Sequence, residues 1–178
     1  MPKYVAFLRA VNVGGHIVKM SHLRELFERV KFSNVETFIA SGNVIFDSPS
    51  KNTRALENQI ETLLQQTFGY AVTTFVRSVA EIAAINQLIP SKLDVGNTLY
   101  IAFTRAEPSA EAKRKLLPFK SNVEDFKIAG REVYWFSRTT ISESKFSGAQ
   151  LERILGMPAT IRNANTIKRL AAKYSDED

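Results

Sequence analysis

The chain has 178 residues, 44% of them hydrophobic and 24% charged, enough for one large or two small globular domains whose core needs no covalent staples. It contains no Cys, which excludes disulfides and thiolate metal centres and fits a reducing compartment. The formal net charge is +6 despite an acidic end, Asp176-Glu177-Asp178, so the body is more basic still and attracts polyanions without specifying any one of them.

Met1-Pro2-Lys3-Tyr4 enters a short apolar run carrying Arg9, which reads as neither a signal peptide nor a membrane span, and the cytoplasm is the expected location. Tyr4–Ala10 has the aromatic and β-branched content of a strand. After a loop, Ser21 is the expected N-cap of a helix whose Leu23, Leu26, Phe27 and Val30 recur at helical spacing. Val35–Asp47 reads as a hairpin about the small polar turn Ser41-Gly42-Asn43. A helix then runs from near Thr53 to Phe68, with Leu56, Ile60, Leu63 and Leu64 on one face and Gly69 as its stop. Val72–Val76 is a strand that ends in Arg77.

Ser78 and Glu81 have capping-box spacing, Ile82, Ile85 and Leu88 continue helically, and Pro90 ends that linking helix. The order of elements then returns. Strand Leu99–Thr104 precedes a helix capped near Ser109 and stopped at Pro118. A hairpin over Val123–Phe136 turns about Ala129-Gly130-Arg131, and a helix over Ser147–Leu155 stops at Gly156. Ala159–Arg162 is the last strand. A terminal helix places Ile167, Leu170, Ala171 and Tyr174 on one face.

The recurrence extends to residues. Tyr4–Val11 and Tyr100–Glu107 are identical at five of eight positions, and both copies leave a Gly stop for a strand that ends in Arg. The expected fold is therefore α+β, a tandem duplication of ferredoxin-like β-α-β-β-α-β units with a linking helix and a C-terminal helix. The expected boundaries are 1–77 for the first unit, 78–97 for the link, and 98–178 for the second unit with its terminal helix and acidic tail. A single larger mixed sheet is the alternative.

The repeat supplies an internal control. Between first strand and first helix, the second copy has Glu107-Pro108-Ser109 where the first has Val11 to Met20, about seven residues more than the twin requires. That loop carries Asn12, Gly14, Gly15, His16 and Lys19, with Arg9 just before it. Adjacent glycines let backbone N–H groups approach an anion, and the loop delivers the chain to a helix N-terminus, where the dipole favours negative charge. A small anionic ligand, bearing phosphate or carboxylate and including nucleotides, is the partner this chemistry suits. The competing reading is a wide turn whose glycines satisfy geometry. Neither a Walker loop nor Gly-x-Gly-x-x-Gly is present.

Two further polar clusters are candidate ligand contacts, each with a local explanation. Ser41 and Asn43 suit a tight turn, and Asn163 or Asn165 suits an N-cap after Arg162. Arg77 and Arg162 are candidate supporting cations. No catalytic set is identified, although His16 is a candidate acid–base group for an enzyme. His16 and His22 lack a third ligand at defined spacing, so no metal and no cofactor are expected. A nucleic-acid-binding module is the alternative, using the basic body and the aromatics Tyr134-Trp135-Phe136. No membrane partner is expected, and self-association through sheet edges is a further possibility.

Phe7-Leu8-Arg9-Ala10-Val11-Asn12-Val13-Gly14-Gly15-His16, then Val18-Lys19-Met20 and Leu23-Arg24, resembles the opening signature of the bacterial domain-of-unknown-function family 1697. Ser41–Phe46 is similar to that family's next block, and Thr160–Lys168 with Leu170 to its C-terminal one. The sequence departs at Ala10, where the family commonly has Gly, and at Ala164, where Trp is common; the second departure removes a stacking surface. The resemblance implies a stand-alone bacterial protein with a duplicated α/β fold and no established activity. It marks the loop at 12–19, the turn at 41–43 and the segment 162–166.

Overall fold

A computed structural model describes every residue except 13–14, 140–142 and 176–178, and within the strands it omits the side chains of Ala40 and Ser41. The chain divides into two compact units, Met1–Ala83 and Ala84–Asp178. In the first, β1 (Lys3–Leu8), α1 (Met20–Arg29), β2 (Ser33–Phe38), β3 (Ala40–Asp47), α2 (Thr53–Phe68) and β4 (Thr74–Ser78) follow in order, and α3 (Val79–Gln87) continues directly from β4. The second repeats the series as β5 (Thr98–Phe103), α4 (Ala110–Leu116), β6 (Glu124–Ala129), β7 (Glu132–Ser137), α5 (Gly148–Leu155), β8 (Thr160–Asn163) and α6 (Ala164–Lys173), with a 3-10 turn at Leu117–Phe119.

Each unit carries its own four-stranded antiparallel sheet, ordered β2-β3-β1-β4 in one and β6-β7-β5-β8 in the other, so the single mixed sheet is excluded. The two halves agree to the residue. Val5 lies opposite Arg77 and Ile45, and its twin Ile101 lies opposite Arg162 and Tyr134. The linking and terminal helices are also twins, since each leaves the last strand of its unit without a loop.

Period-two alternation in β1 sends Tyr4, Ala6 and Leu8 to one face, where they meet Leu23, Leu26 and Phe27 of α1 and Leu56, Ile60 and Leu64 of α2. Phe27, Phe32 and Phe46 interlock there with ring centroids 4.4–5.8 Å apart. Truncating a buried Phe of this kind to Ala costs about 3–5 kcal/mol. In the second unit Ala102, Val133 and Trp135 pack against Ala112, Leu116, Leu151 and Leu155 in the same way. The opposite faces hold Val5, Phe7, Ile45 and Phe75 in one unit and Leu99, Ile101 and Tyr134 in the other, all buried. That two-sided burial explains why the strands read as continuous apolar runs.

The capping signals are realised locally. Asn52, Ser109 and Ser147 accept from the backbones of Ala55, Ala112 and Gln150. Ser78 and Glu81 form the reciprocal pair expected of a capping box. Gly69 (φ 79°) and Gly156 (φ 69°) end their helices in the left-handed conformation.

Two local expectations are corrected. Helix α1 begins at Met20 with Lys19 as its N-cap, so Ser21 lies inside the first turn. The β2–β3 reversal occurs at Ile39 (φ 68°), between the paired residues Phe38 and Ala40, and Ser41–Asn43 forms an irregularity within β3. The cause is Asn43, which pairs with Phe7 of β1 and donates its Nδ2–H to the Phe38 carbonyl at 3.0 Å.

The edge strand β4 has its outward N–H groups occupied. Val76 donates to Oε1 of the buried Glu57 at 2.9 Å, and Thr74 to Glu61 at 2.8 Å. Ala159, entering β8, donates to Glu152 at 3.0 Å. At these positions helix carboxylates stand where an added strand would bond.

Candidate functional site

The connection from β1 to α1 spans eleven residues (9–19), against six (104–109) from β5 to α4. The excess is five rather than seven, because β5 ends at Phe103, one residue before its twin, and α1 already begins at Met20. The loop is built as a pinned arch. Its feet, Val11 and Val18, are buried in the first unit's core. Asn12 Oδ1 accepts from the Val18 N–H at 2.8 Å, closing the arch across six residues. Tyr70, just past the Gly69 stop of α2, donates its hydroxyl to the Val11 carbonyl at 2.7 Å. Arg9 begins the loop by donating its backbone N–H to Thr73 at 2.9 Å.

Between those feet Gly15 adopts φ 80°, His16 is exposed and Ile17 is 85% exposed; Lys19, just past the second foot, is exposed too. Gly14 lies outside the described residues. The His16 ring packs on Tyr70 (5.8 Å), Tyr70 stacks on Phe68 (5.8 Å), and Phe68 meets His22 edge-on (6.0 Å). Two aromatic rings therefore separate the histidines, and both have packing roles. Among the described residues no group of three His, Cys, Asp or Glu side chains is placed to hold a metal ion.

The loop ends at a helix terminus with open hydrogen-bonding capacity. Lys19 has extended N-cap geometry (φ −68°, ψ 139°), no side-chain cap bond is made, and no acidic residue lies in the first turn. Among the described α-helices the other five are all capped by a side chain. The first backbone N–H groups of α1 thus lack the side-chain oxygen that its twin α4 receives from Ser109.

Sheet register decides which flagged residues gather. Phe7 opposes Asn43 and Leu8 opposes Thr74, so the loop, the Phe38–Asn43 segment and the entry to β4 share one end of the first sheet. Asn43 is buried with its amide committed to Phe38, and the Asn12 carbonyl is committed to Val18. Backbone Ser41 lies in the same irregular stretch. Arg162, Asn163 and Asn165 belong to the second unit, at the end of its sheet where β5 begins. Asn163 caps α6 by accepting from the Asn165 N–H at 2.9 Å. Arg162 donates to Thr160 Oγ1 and the Ile161 carbonyl, both at 2.9 Å, and burial lowers its pKa to about 10. Its twin Arg77 is fully buried and donates to the Val76 carbonyl at 3.0 Å.

Sequence reasoning missed Tyr70, which anchors the arch and carries His16. Its only signal is position, one residue beyond a helix-stopping glycine. The aromatics invoked for nucleic acid divide otherwise: Trp135 and Tyr134 are fully buried, Phe136 partly. No described helix is long and apolar enough to cross a membrane.

No curated protein matches the chain. Among solved structures, a conserved bacterial protein from Streptococcus pneumoniae is similar over 99% of both chains, with TM-score 0.74 and 22% identity, a likeness of fold alone. The profile of a protein family of unknown function, DUF1697, matches residues 1–134. That span includes the β1–α1 loop and the Ser41–Phe46 block, while Thr160–Leu170 lies beyond it. The chain belongs to the DUF1697 family.

Proposed function

We propose that this protein binds a small anionic ligand, a phosphate or carboxylate group, at the mouth of the β1–α1 loop, with Gly14, Gly15, His16, Lys19 and the first backbone N–H groups of α1 as its contacts. One observation carries the reading: α1 opens without a side-chain cap, at the end of a loop longer than its twin. An uncapped helix start offers N–H groups and a dipole equivalent to roughly half a positive charge. Exposed His16 and Lys19 add donors, and Arg9 lies at the loop's base. Asn12 and Asn43 hold the scaffold rather than the ligand, and this reading makes no use of Arg162, Asn163 and Asn165, which belong to the second unit.

The nucleic-acid reading is the weaker one, because Trp135 and Tyr134 are not available as stacking surfaces. The enzymatic reading rests on His16 alone, whose ring packs on the Tyr70 ring rather than against a second acid–base group. We read the architecture as a ferredoxin-like duplication with working boundaries 1–77, 78–97 and 98–178, in a cytoplasmic protein. Titration with inorganic phosphate, followed by backbone-amide NMR of the full chain, tests the site. Saturable shifts at Gly15, Met20, Ser21 and His22 are expected; shifts that are absent there, or that climb linearly across all basic surface, would sink it.

A further inference from the structure

The second unit contains a cavity of about 490 Å³, lined by its own residues. That is the size of a small-molecule site. Three neighbouring strands make it at the end of the sheet where β5 begins. Thr98 opposes Ser137, which in turn opposes Glu124, so the approach to β5, the exit of β7 and the entry of β6 lie side by side. Arg138 donates its N–H to the Val123 carbonyl at 2.9 Å, carrying the β7 backbone past the end of the ladder. Ser121 accepts from the N–H groups of Val123 and Glu124, both at 3.1 Å, folding the β6 entry into a tight turn that forms one wall.

The repeat again serves as a control. The position of Phe136, opposite Leu99, is held in the first unit by Asp47, opposite Lys3. There Asp47 closes the sheet end by accepting from Lys3 Nζ at 3.1 Å and Asn34 Nδ2 at 2.7 Å. In the second unit no such polar closure exists at that position. Phe136 stands in its place, partly buried, as an apolar cavity wall.

The charges around the cavity are committed, with one exception. Glu124 is buried and receives the Trp135 Nε1–H and the Ser144 hydroxyl. Asp125 pairs with Lys120 at 3.2 Å. The Arg138 guanidinium and the Asn97 and Asn122 carboxamides line the cavity and bond to no other described residue. A free cation, two amides offering donor and acceptor together, and an aromatic wall thus face the same space.

From this we infer that the second unit holds a separate binding site for a small organic anion with a planar ring. Its carboxylate or phosphate monoester group meets Arg138, its ring lies on Phe136, and its amide-like edge meets Asn97 and Asn122. Guanidinium binds either head group through paired N–H donors, and carboxamides match the donor–acceptor edge of a heterocycle.

The full chain, isotope-labelled, is titrated with orotate and with adenosine 5′-monophosphate, and separately with uracil and inorganic phosphate. The inference expects saturable shifts of the Asn97 and Asn122 side-chain amides with orotate or the nucleotide, and the better of the two identifies the head group. Uracil and phosphate, each carrying half of the chemistry, bind at least about tenfold more weakly. Arg138→Gln, at an exposed position, lowers the affinity at least about tenfold, and Asn122→Ala lowers it several-fold, with the remaining spectrum unchanged. No saturation with either probe at millimolar concentration overturns the inference, as does equal binding of phosphate alone or an affinity indifferent to Arg138→Gln. Resonances of Gly15 and Ser21 in the same spectra report the loop site independently.

Discussion

Replacing Lys19 by Asp tests whether the start of α1 is an open anion site. The backbone at Lys19 already has the extended geometry of an N-cap residue (φ −68°, ψ 139°), so the substitution needs no rearrangement. The new carboxylate reaches the N–H groups of Ser21 or His22, a bond that contributes about 1 kcal/mol at helix starts. Exchanging a cation for an anion beside the positive end of the helix dipole adds about 0.5 kcal/mol. The total of about 1.5 kcal/mol raises Tm by roughly 3–6 °C in a chain of this length. The same carboxylate occupies the position proposed for the ligand, so the variant becomes more stable and loses its response to phosphate together. Thermal unfolding by circular dichroism, with and without phosphate, reads both effects. A variant no more stable than wild type, or one that binds phosphate as wild type does, refutes the reasoning.

Glu57→Ala leaves the buried Val76 N–H without an acceptor and costs about 2–3 kcal/mol, whereas Glu57→Gln keeps a carbonyl in place and costs under about 1 kcal/mol; equal losses in urea unfolding would show that the bond to the edge strand is not what matters. Ile39→Gly relieves a β-branched residue held at φ 68° and gains about 1 kcal/mol in the same assay, and a loss instead would mean the side chain packs more than its exposure shows. Burial, reinforced by the Glu132 carboxylate, holds the Tyr134 phenol above its ordinary value of 10.0. The folded state therefore keeps a proton that the unfolded chain releases, so this contribution is complete below pH 10 and is lost as pH rises beyond it. Tyr134→Phe makes the alkaline decline in stability shallower, and an unchanged decline would assign it to other groups.

The duplication was legible because it is written twice in local terms: caps at Ser109 and Ser147, stops at Gly69 and Gly156, and the near-identical first strands. Each of these acts within a few residues, which is the range over which one sequence constrains itself. The misread positions depend on partners far along the chain. Ser21 has the side chain of an N-cap, but Val18 is drawn into the core and Asn12 closes the arch, so α1 starts earlier. Ser41-Gly42-Asn43 has the composition of a turn, but the pairing of Asn43 with β1 moves the reversal to Ile39. The polar residues at the candidate site were visible as residue types; that Asn12 and Asn43 serve the scaffold depends on hydrogen bonds that composition does not encode. The cavity at Arg138 gave no signal in the sequence, because its three walls meet only through sheet register.

The central claim is that the β1–α1 loop is surplus to folding and present for a ligand. It is tested most directly by replacing residues 12–17 with a short connection patterned on Glu107-Pro108-Ser109, and measuring the phosphate-dependent change in Tm against wild type. The account predicts that the shortened chain still unfolds cooperatively and that the stabilisation by phosphate seen in wild type disappears. A shortened chain that phosphate stabilises as much as wild type would contradict it, as would one that no longer folds.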